Sequence, residues 1–382
     1  MIARDAFETV KTLASDYPVV AVTGPRQAGK TTLARAAFPG HAYVSLENPA
    51  QRAFAEDDPA GFLHTFPAGV ILDEVQRCPR LFEWLQGIVD EEREPGRFVL
   101  TGSQQFGLLS GITQSLAGRV ALVSLLPFAA SELRAAALLP PTADEAVFRG
   151  GYPPLFDRSL DPVIWFGNYV QTYLERDVRQ LLNVRDLTQF QRFVRLCAGR
   201  TGQLVNLSSL GEEAGVSHNT SREWISVLEA SFVLFRLPPY HRNFNKRLVK
   251  TPKLYFHDTG LAAWLMGIES ASQLATHPLR GPLFETWVVG EFLKRRWNAG
   301  RPSNLFFWRD RSGHEVDLLV ESAQGIQAVE VKATATPTAD ALRGLDHWRT
   351  LTGGSEPRPC LVYGGDLRQR RSDCDILPWR TL

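Results

Sequence analysis

Residues 19 to 31 constrain this chain more than any other segment. Val19, Val20, Ala21 and Val22 read as a buried strand ending at Thr23, the turn Gly24-Pro25-Arg26-Gln27-Ala28-Gly29 follows, and Lys30-Thr31-Thr32-Leu33-Ala34 opens a helix. That succession belongs to a sheet flanked by helices. Its loop turns backbone N–H groups and a helix N-terminus toward one point, which makes a cradle for phosphate. Gly24 and Gly29 let the backbone come close, Lys30 is placed to reach the β and γ oxygens of a nucleoside triphosphate, and the Thr31 hydroxyl to complete a Mg²⁺ shell. The segment from Gly24 through Thr32 is therefore expected to hold ATP with Mg²⁺.

Further apolar runs at 42–46, 70–73, 98–102 and 119–125 alternate with helical patterns, as in a mostly parallel sheet. The run Val70-Ile71-Leu72 ends in Asp73-Glu74, two carboxylates at the C-terminal end of a buried strand, where ligands sit in such sheets. Asp73 is expected to hold Mg²⁺ through water and Glu74 to orient the attacking water, because phosphoryl transfer depends on positioning and charge compensation. Thr101 or Ser103, at the end of the next strand, is a candidate sensor of the γ-phosphate.

A length of 382 residues exceeds what one ordinary core supports. Four parts are expected: an ATPase core at 1–126, a helical lid at 127–185, a helix-turn-helix module at 186–268 and a second α/β domain at 269–382. A net charge of +1 gives no global attraction to nucleic acid or membrane. Cys78, Cys197, Cys360 and Cys374 form no CxxC pair, which fits reduced thiols better than zinc binding or secretion. No export signal opens the chain and no apolar run is long enough to span a bilayer, so the expected setting is cytoplasmic, without membrane. Only seven lysines accompany thirty-five arginines, which gives weight to lysines in motif positions such as Lys30 and Lys332.

Taken together, 24–31, 70–74 and 101–103 resemble the AAA+ ATPases, and Ser115-Leu116-Ala117-Gly118-Arg119-Val120 strengthens the match. The resemblance implies that Arg119 acts in trans on a neighbouring subunit's nucleotide, hence a homo-oligomer. Gly150-Gly151-Tyr152-Pro153, Tyr173-Leu174-Glu175-Arg176-Asp177 and Lys253-Leu254-Tyr255-Phe256-His257-Asp258-Thr259-Gly260-Leu261 look like a bacterial and archaeal family of AAA-type ATPases with a C-terminal domain of unknown function.

Residues 207–217 read as a helix, a tight turn at Gly215 and a cap at Ser217, opening a second helix that carries His218, Asn219, Thr220 and Arg222. This resembles a winged helix-turn-helix, whose recognition helix would present Asn219, Thr220 and Arg222 to DNA. Arg242, Lys246, Arg247, Lys250 and Lys253 beside Phe244 form a basic stretch that suits phosphate contacts.

Residues 313–320 and 326–332 alternate like half-buried strands. In a hairpin centred between Ala323 and Gln324, Asp317 lies opposite Glu330, with Lys332 on the same face. Two carboxylates so placed can hold Mg²⁺ against a phosphodiester, with Lys332 positioning a water and Glu285 adding a further carboxylate. The pattern resembles the restriction-endonuclease-like PD-(D/E)xK nucleases. His257-Asp258 and His314 lack a partner at ligand spacing and read as structural, and Trp84, Trp165 and Trp264 as core. The expected activity is Mg²⁺-dependent ATP hydrolysis acting on DNA, with ATP-gated cleavage. The alternative is a nucleotide-dependent switch or scaffold that binds a protein partner.

Overall fold

The computed structural model describes residues 2–103, 111–112, 114–174, 187–240 and 249–382. Glu175-Arg176-Asp177 and the core of the basic stretch, Arg242, Phe244, Lys246 and Arg247, lie outside the described residues. The chain divides into two compact units. The first comprises Met1–Phe128, Ala230–Phe232 and Lys294–Pro302, and the second takes the remainder.

The first unit is built on five parallel strands, β1 (Val19–Thr23), β2 (Ala42–Ser45), β3 (Val70–Asp73), β4 (Phe98–Gly102) and β5 (Val120–Ser124), in the order β2-β3-β4-β1-β5. All five match apolar runs of the sequence. Every residue of β1 is buried, as a strand covered on both faces requires. Val19, Ala21, Leu72 and Leu100 pack toward Phe62, Leu81, Phe82 and Leu85, whereas Val20 and Val22 pack with Val10 and Leu33. The helices are α1 (Phe7–Asp16), α2 (Lys30–Ala37), α3 (Pro49–Asp57), α4 (Pro59–His64) and α5 (Leu81–Glu92). Asn48 and Asp58 cap α3 and α4, each followed by proline at the first helical position. Trp84 departs from the core position expected of it. Leu81, Phe82, Leu85 and Val89 set the buried face of α5, and Trp84, off that face, is 44% exposed.

The second unit opens with α6 (Ala130–Ala135), α7 (Ala143–Arg149), α8 (Pro154–Asp157) and α9 (Pro162–Tyr169). There follow α10 (Leu187–Ala198), β6 (Gln203–Leu204), α11 (Leu207–Ala214), α12 (His218–Ala230), β7 (Leu234–Leu237) and β8 (Lys253–Phe256), with the strands in an antiparallel sheet of order β6-β8-β7. Gly215, at φ 78°, ends α11, and the Ser217 hydroxyl accepts the Thr220 N–H at 3.1 Å, so turn and cap fall where the residue types put them. Helices α13 (Thr259–Leu265), α14 (Ala271–Ala275) and α15 (Arg280–Asn298) lead to a mixed sheet. Its strands are β9 (Leu305–Arg309), β10 (Glu315–Ser322), β11 (Gly325–Lys332), β12 (Cys360–Tyr363), β13 (Gln369–Arg370) and β14 (Asp375–Pro378), in the order β13-β14-β12-β11-β10-β9, and α16 (Arg343–Thr352) packs against β10 and β11. Leu318 pairs with Val329 and Leu319 with Ala328, so the hairpin turns between Ala323 and Gln324 as its alternation requires.

Candidate functional site

The loop after β1 takes its shape from two glycines. Gly24 has φ 146° and Gly29 φ 91°, and a Cβ at Gly24 would collide with the Leu125 carbonyl oxygen. Arg4 braces the loop by donating to the carbonyls of Ala28 and Leu126, each at 2.6 Å. Nothing in the local sequence signals this role of Arg4, because its partners lie 24 and 122 residues away. Lys30 is buried and folds back on the loop, donating to the carbonyls of Gly24 at 3.0 Å and Pro25 at 2.8 Å. Burial lowers its pKa to about 8, although Glu74 and Asp73 pull the other way.

Asp73 gathers three hydroxyls. Thr31 Oγ1 donates to its carboxylate at 3.1 Å and Tyr43 at 2.8 Å, while Thr101 makes a further short bond. Burial and then the bond to Asp73 push the Tyr43 phenol up to about 12. Octahedral Mg²⁺ holds neighbouring oxygens about 3 Å apart. The Thr31–Asp73 separation of 3.1 Å therefore suits one ion shared by the two groups. Its chemistry there would be charge compensation on the terminal phosphates. Glu74 sits in the left-handed region at φ 56°, a strained conformation for a non-glycine residue that turns its carboxylate off the strand end. Gln76 at 2.5 Å and Ser103 at 3.1 Å both donate to Glu74 Oε2. The structure thus divides the two hydroxyl candidates, Thr101 serving Asp73 and Ser103 serving Glu74. Arg119 forms a two-point ion pair with Asp90 at 2.5 and 2.9 Å and also donates to the Ala117 carbonyl. It stands on the surface of the first unit, its side chain about one third exposed.

A second charged centre lies in the second unit. The register that pairs Leu318 with Val329 brings Asp317 across from Glu330. Asp317 Oδ2 accepts the Val331 N–H at 2.9 Å, and Lys332 Nζ lies 2.7 Å from Glu330 Oε1 and 3.8 Å from Asp317 Oδ2. Among the described residues, Glu330 Oε2 is buried without a hydrogen-bond partner. Gly344, at the start of α16, leaves room beside it, since a Cβ there would stand 2.9 Å from that oxygen. Burial, and then the Asp317 charge, raise the Glu330 pKa to about 8 against the opposing effect of Lys332. An unpaired buried acceptor beside a second carboxylate fits a hard divalent cation.

The expectation for Glu285 needs correction. Its Oε1 is taken by Lys253 at 2.8 Å and Tyr255 at 2.5 Å, and burial with the nearby Asp317 raises its pKa to about 7. The ligand atoms of Glu285, Asp317 and Glu330 do not all lie within 4.8 Å of one another. Lys253 is almost wholly buried and also meets Glu315 at 2.5 Å. Period-two alternation places Lys253 and Tyr255 on one face of β8. The motif that contains them therefore belongs to the charged centre. Its other half is structural: Asp258 accepts the N–H of Leu261 at 3.0 Å, capping α13, and that of Gly151 at 2.8 Å. Gly150 has φ 69°, and a side chain there would strike Asp258, so the two family signatures meet at this carboxylate.

Residues 16–134 match the AAA domain, 141–272 a domain of unknown function (DUF8612) and 280–382 another domain of unknown function (DUF4143). Uncharacterized proteins of Mycobacterium tuberculosis and Mycobacterium bovis are each 34% identical over 375 residues, covering 97% of this chain and 82% of theirs. Among solved structures, a Walker-type ATPase of Pyrococcus abyssi is similar at 15% identity and a TM-score of 0.46, over 69% of this chain and 96% of that chain. No described helix is long and apolar enough to cross a membrane.

Proposed function

This chain belongs to the same family as the two mycobacterial proteins, an AAA ATPase with a C-terminal domain of unknown function, and on that premise we propose that it hydrolyses ATP to act on DNA, cutting the phosphodiester backbone in its C-terminal domain. The observation that carries this reading is Glu330 Oε2, a buried oxygen with no hydrogen-bond partner among the described residues, opposite Asp317 and beside Lys332. A protein that used Glu330 only as a salt-bridge partner for Lys332 would have no use for a second desolvated oxygen, whose burial costs about 1–3 kcal/mol.

In the first unit, Lys30 and the loop amides hold the phosphates, Thr31 and Asp73 would hold Mg²⁺, and Glu74 orients the attacking water, steadied by Gln76 and Ser103. In the second, Asp317 and Glu330 would hold Mg²⁺, which supplies charge stabilisation on the scissile phosphate. Lys332 orients a water or the phosphate from the same face. The order α10, β6, α11, α12, β7, β8 agrees with a winged-helix reading, in which Asn219, Thr220 and Arg222 meet DNA. Arg119 serves a neighbouring subunit after its pair with Asp90 opens.

The test is ATP turnover with duplex, single-stranded and branched DNA, together with cleavage of the same substrates in Mg²⁺ or Mn²⁺. DNA is expected to stimulate turnover, and Asp317→Ala to abolish cleavage while leaving metal-free DNA binding intact. Turnover indifferent to every DNA, with no salt-dependent binding, refutes the nucleic-acid reading and leaves a nucleotide-dependent switch for a protein partner.

A further inference from the structure

Asp310 directly follows β9 and His314 directly precedes β10, so the turn between those strands brings them together, while His347 comes from α16. The ligand atoms of all three lie within 4.8 Å of one another, and no other such group of three occurs among the described residues. Asp310 is only 4% exposed. Oδ1 accepts the backbone N–H of His314 at 3.0 Å, which fixes the carboxylate. Oδ2 faces the imidazoles, 3.1 Å from His314 Nδ1 and 3.9 Å from His347 Nε2. The rings stack with centroids 3.9 Å apart and planes inclined by 6°, and Trp308 lies against His347 at 5.7 Å.

We propose that Asp310, His314 and His347 bind a single divalent transition-metal ion, with zinc the best fit. Two imidazoles and a carboxylate are a common three-ligand set for zinc and leave a fourth position to water. Four tetrahedral ligands at about 2.1 Å lie about 3.4 Å apart, so separations of 3.1 and 3.9 Å need only small adjustment. Imidazole lone pairs lie in the ring plane, so the parallel rings must tilt apart to share an ion. His314, whose side chain is half exposed at the turn, supplies that tilt. The oxygen pair of Asp317 and Glu330 selects hard cations, whereas nitrogen donors here select zinc over Mg²⁺. The ion would tie α16 to the turn between β9 and β10. Sequence spacing hides the set, because His347 stands thirty-three residues beyond His314.

The experiment uses the full chain, stripped with a chelator and titrated with Zn²⁺ against a competing dye, with millimolar Mg²⁺ occupying oxygen-donor sites. One equivalent is expected to bind at micromolar affinity or tighter, and Co²⁺ in its place to give visible absorption bands of nitrogen coordination. His314→Ala and His347→Gln should each weaken Zn²⁺ binding by about tenfold or more, whereas Asp317→Ala should leave it unchanged. His314→Ala alters a half-exposed side chain, and an unchanged melting curve in metal-free buffer shows that it folds. Absence of binding by the wild type, or wild-type affinity in folded His314→Ala, overturns the proposal.

Discussion

Raising the pH should weaken nucleotide binding through Lys30 alone. Its ammonium is buried, bonded to the carbonyls of Gly24 and Pro25, and its pKa is lowered to about 8. A nucleotide needs the charged form, and its terminal phosphate, with a pKa of about 6, is already ionised at neutral pH. At pH 9.5 about 3% of Lys30 carries its proton, so recharging it costs about 2 kcal/mol and lowers affinity about 30-fold relative to pH 7. Isothermal titration with ADP and Mg²⁺ between pH 7 and 9.5 measures this directly. Repeating it in buffers of different ionisation enthalpy should show close to one proton taken up per nucleotide at the top of the range. Lys30→Ala should bind weakly at every pH, without the slope. Affinity constant within about twofold to pH 9.5, with no proton uptake, refutes the reasoning. Folding responds with the opposite sign. The folded lysine titrates near 8 and the unfolded one near 10.5, so between those values the unfolded state holds more protons and stability rises with pH.

Glu74→Gln should keep ATP bound and slow hydrolysis by about 10²- to 10⁴-fold, measured by single-turnover phosphate release; a normal rate removes Glu74 from the water-orienting role. Arg119→Ala should bind ATP normally and hydrolyse it about 10³-fold more slowly, and mixing it with Glu74→Gln should restore part of the rate if the arginine crosses between subunits. Unchanged turnover would confine Arg119 to its ion pair with Asp90. Glu330, raised to about 8, binds a proton in the folded state that it lacks unfolded, so stability it confers below about pH 4.5 is lost as the pH rises through 8. Urea unfolding of the metal-free protein should therefore show the second unit weakening over that window, less steeply in Glu330→Gln; identical slopes refute the assignment.

Local chemistry made the nucleotide site legible. Strand, glycine turn and helix N-terminus adjoin in sequence, and Asp73-Glu74 ends an apolar run whose burial places it at the same edge of the sheet. The hairpin register was equally readable, because alternation and a two-residue turn fix which side chains oppose. What escaped depends on distant segments. Arg4 reaches the loop from the chain's start, Lys253 and Tyr255 reach Glu285 on α15 from strand β8, and His347 joins His314 from a helix. Glu285 shows the converse error: a carboxylate at a suitable place, already engaged by partners that spacing could not reveal.

The three hydroxyls on Asp73 come from three neighbouring places: Tyr43 on β2, Thr101 on β4 and Thr31 on α2. One carboxylate is thus the knot in which two flanking strands and the phosphate-binding helix are tied. A cation held jointly by Thr31 and Asp73 would replace the hydrogen bond between them, so the thread it would draw on first is the one from α2. Tyr43, on the edge strand β2 and 39% exposed, carries a phenol bonded to the same carboxylate, which makes its fluorescence and ionisation reporters of Asp73 from outside the sheet.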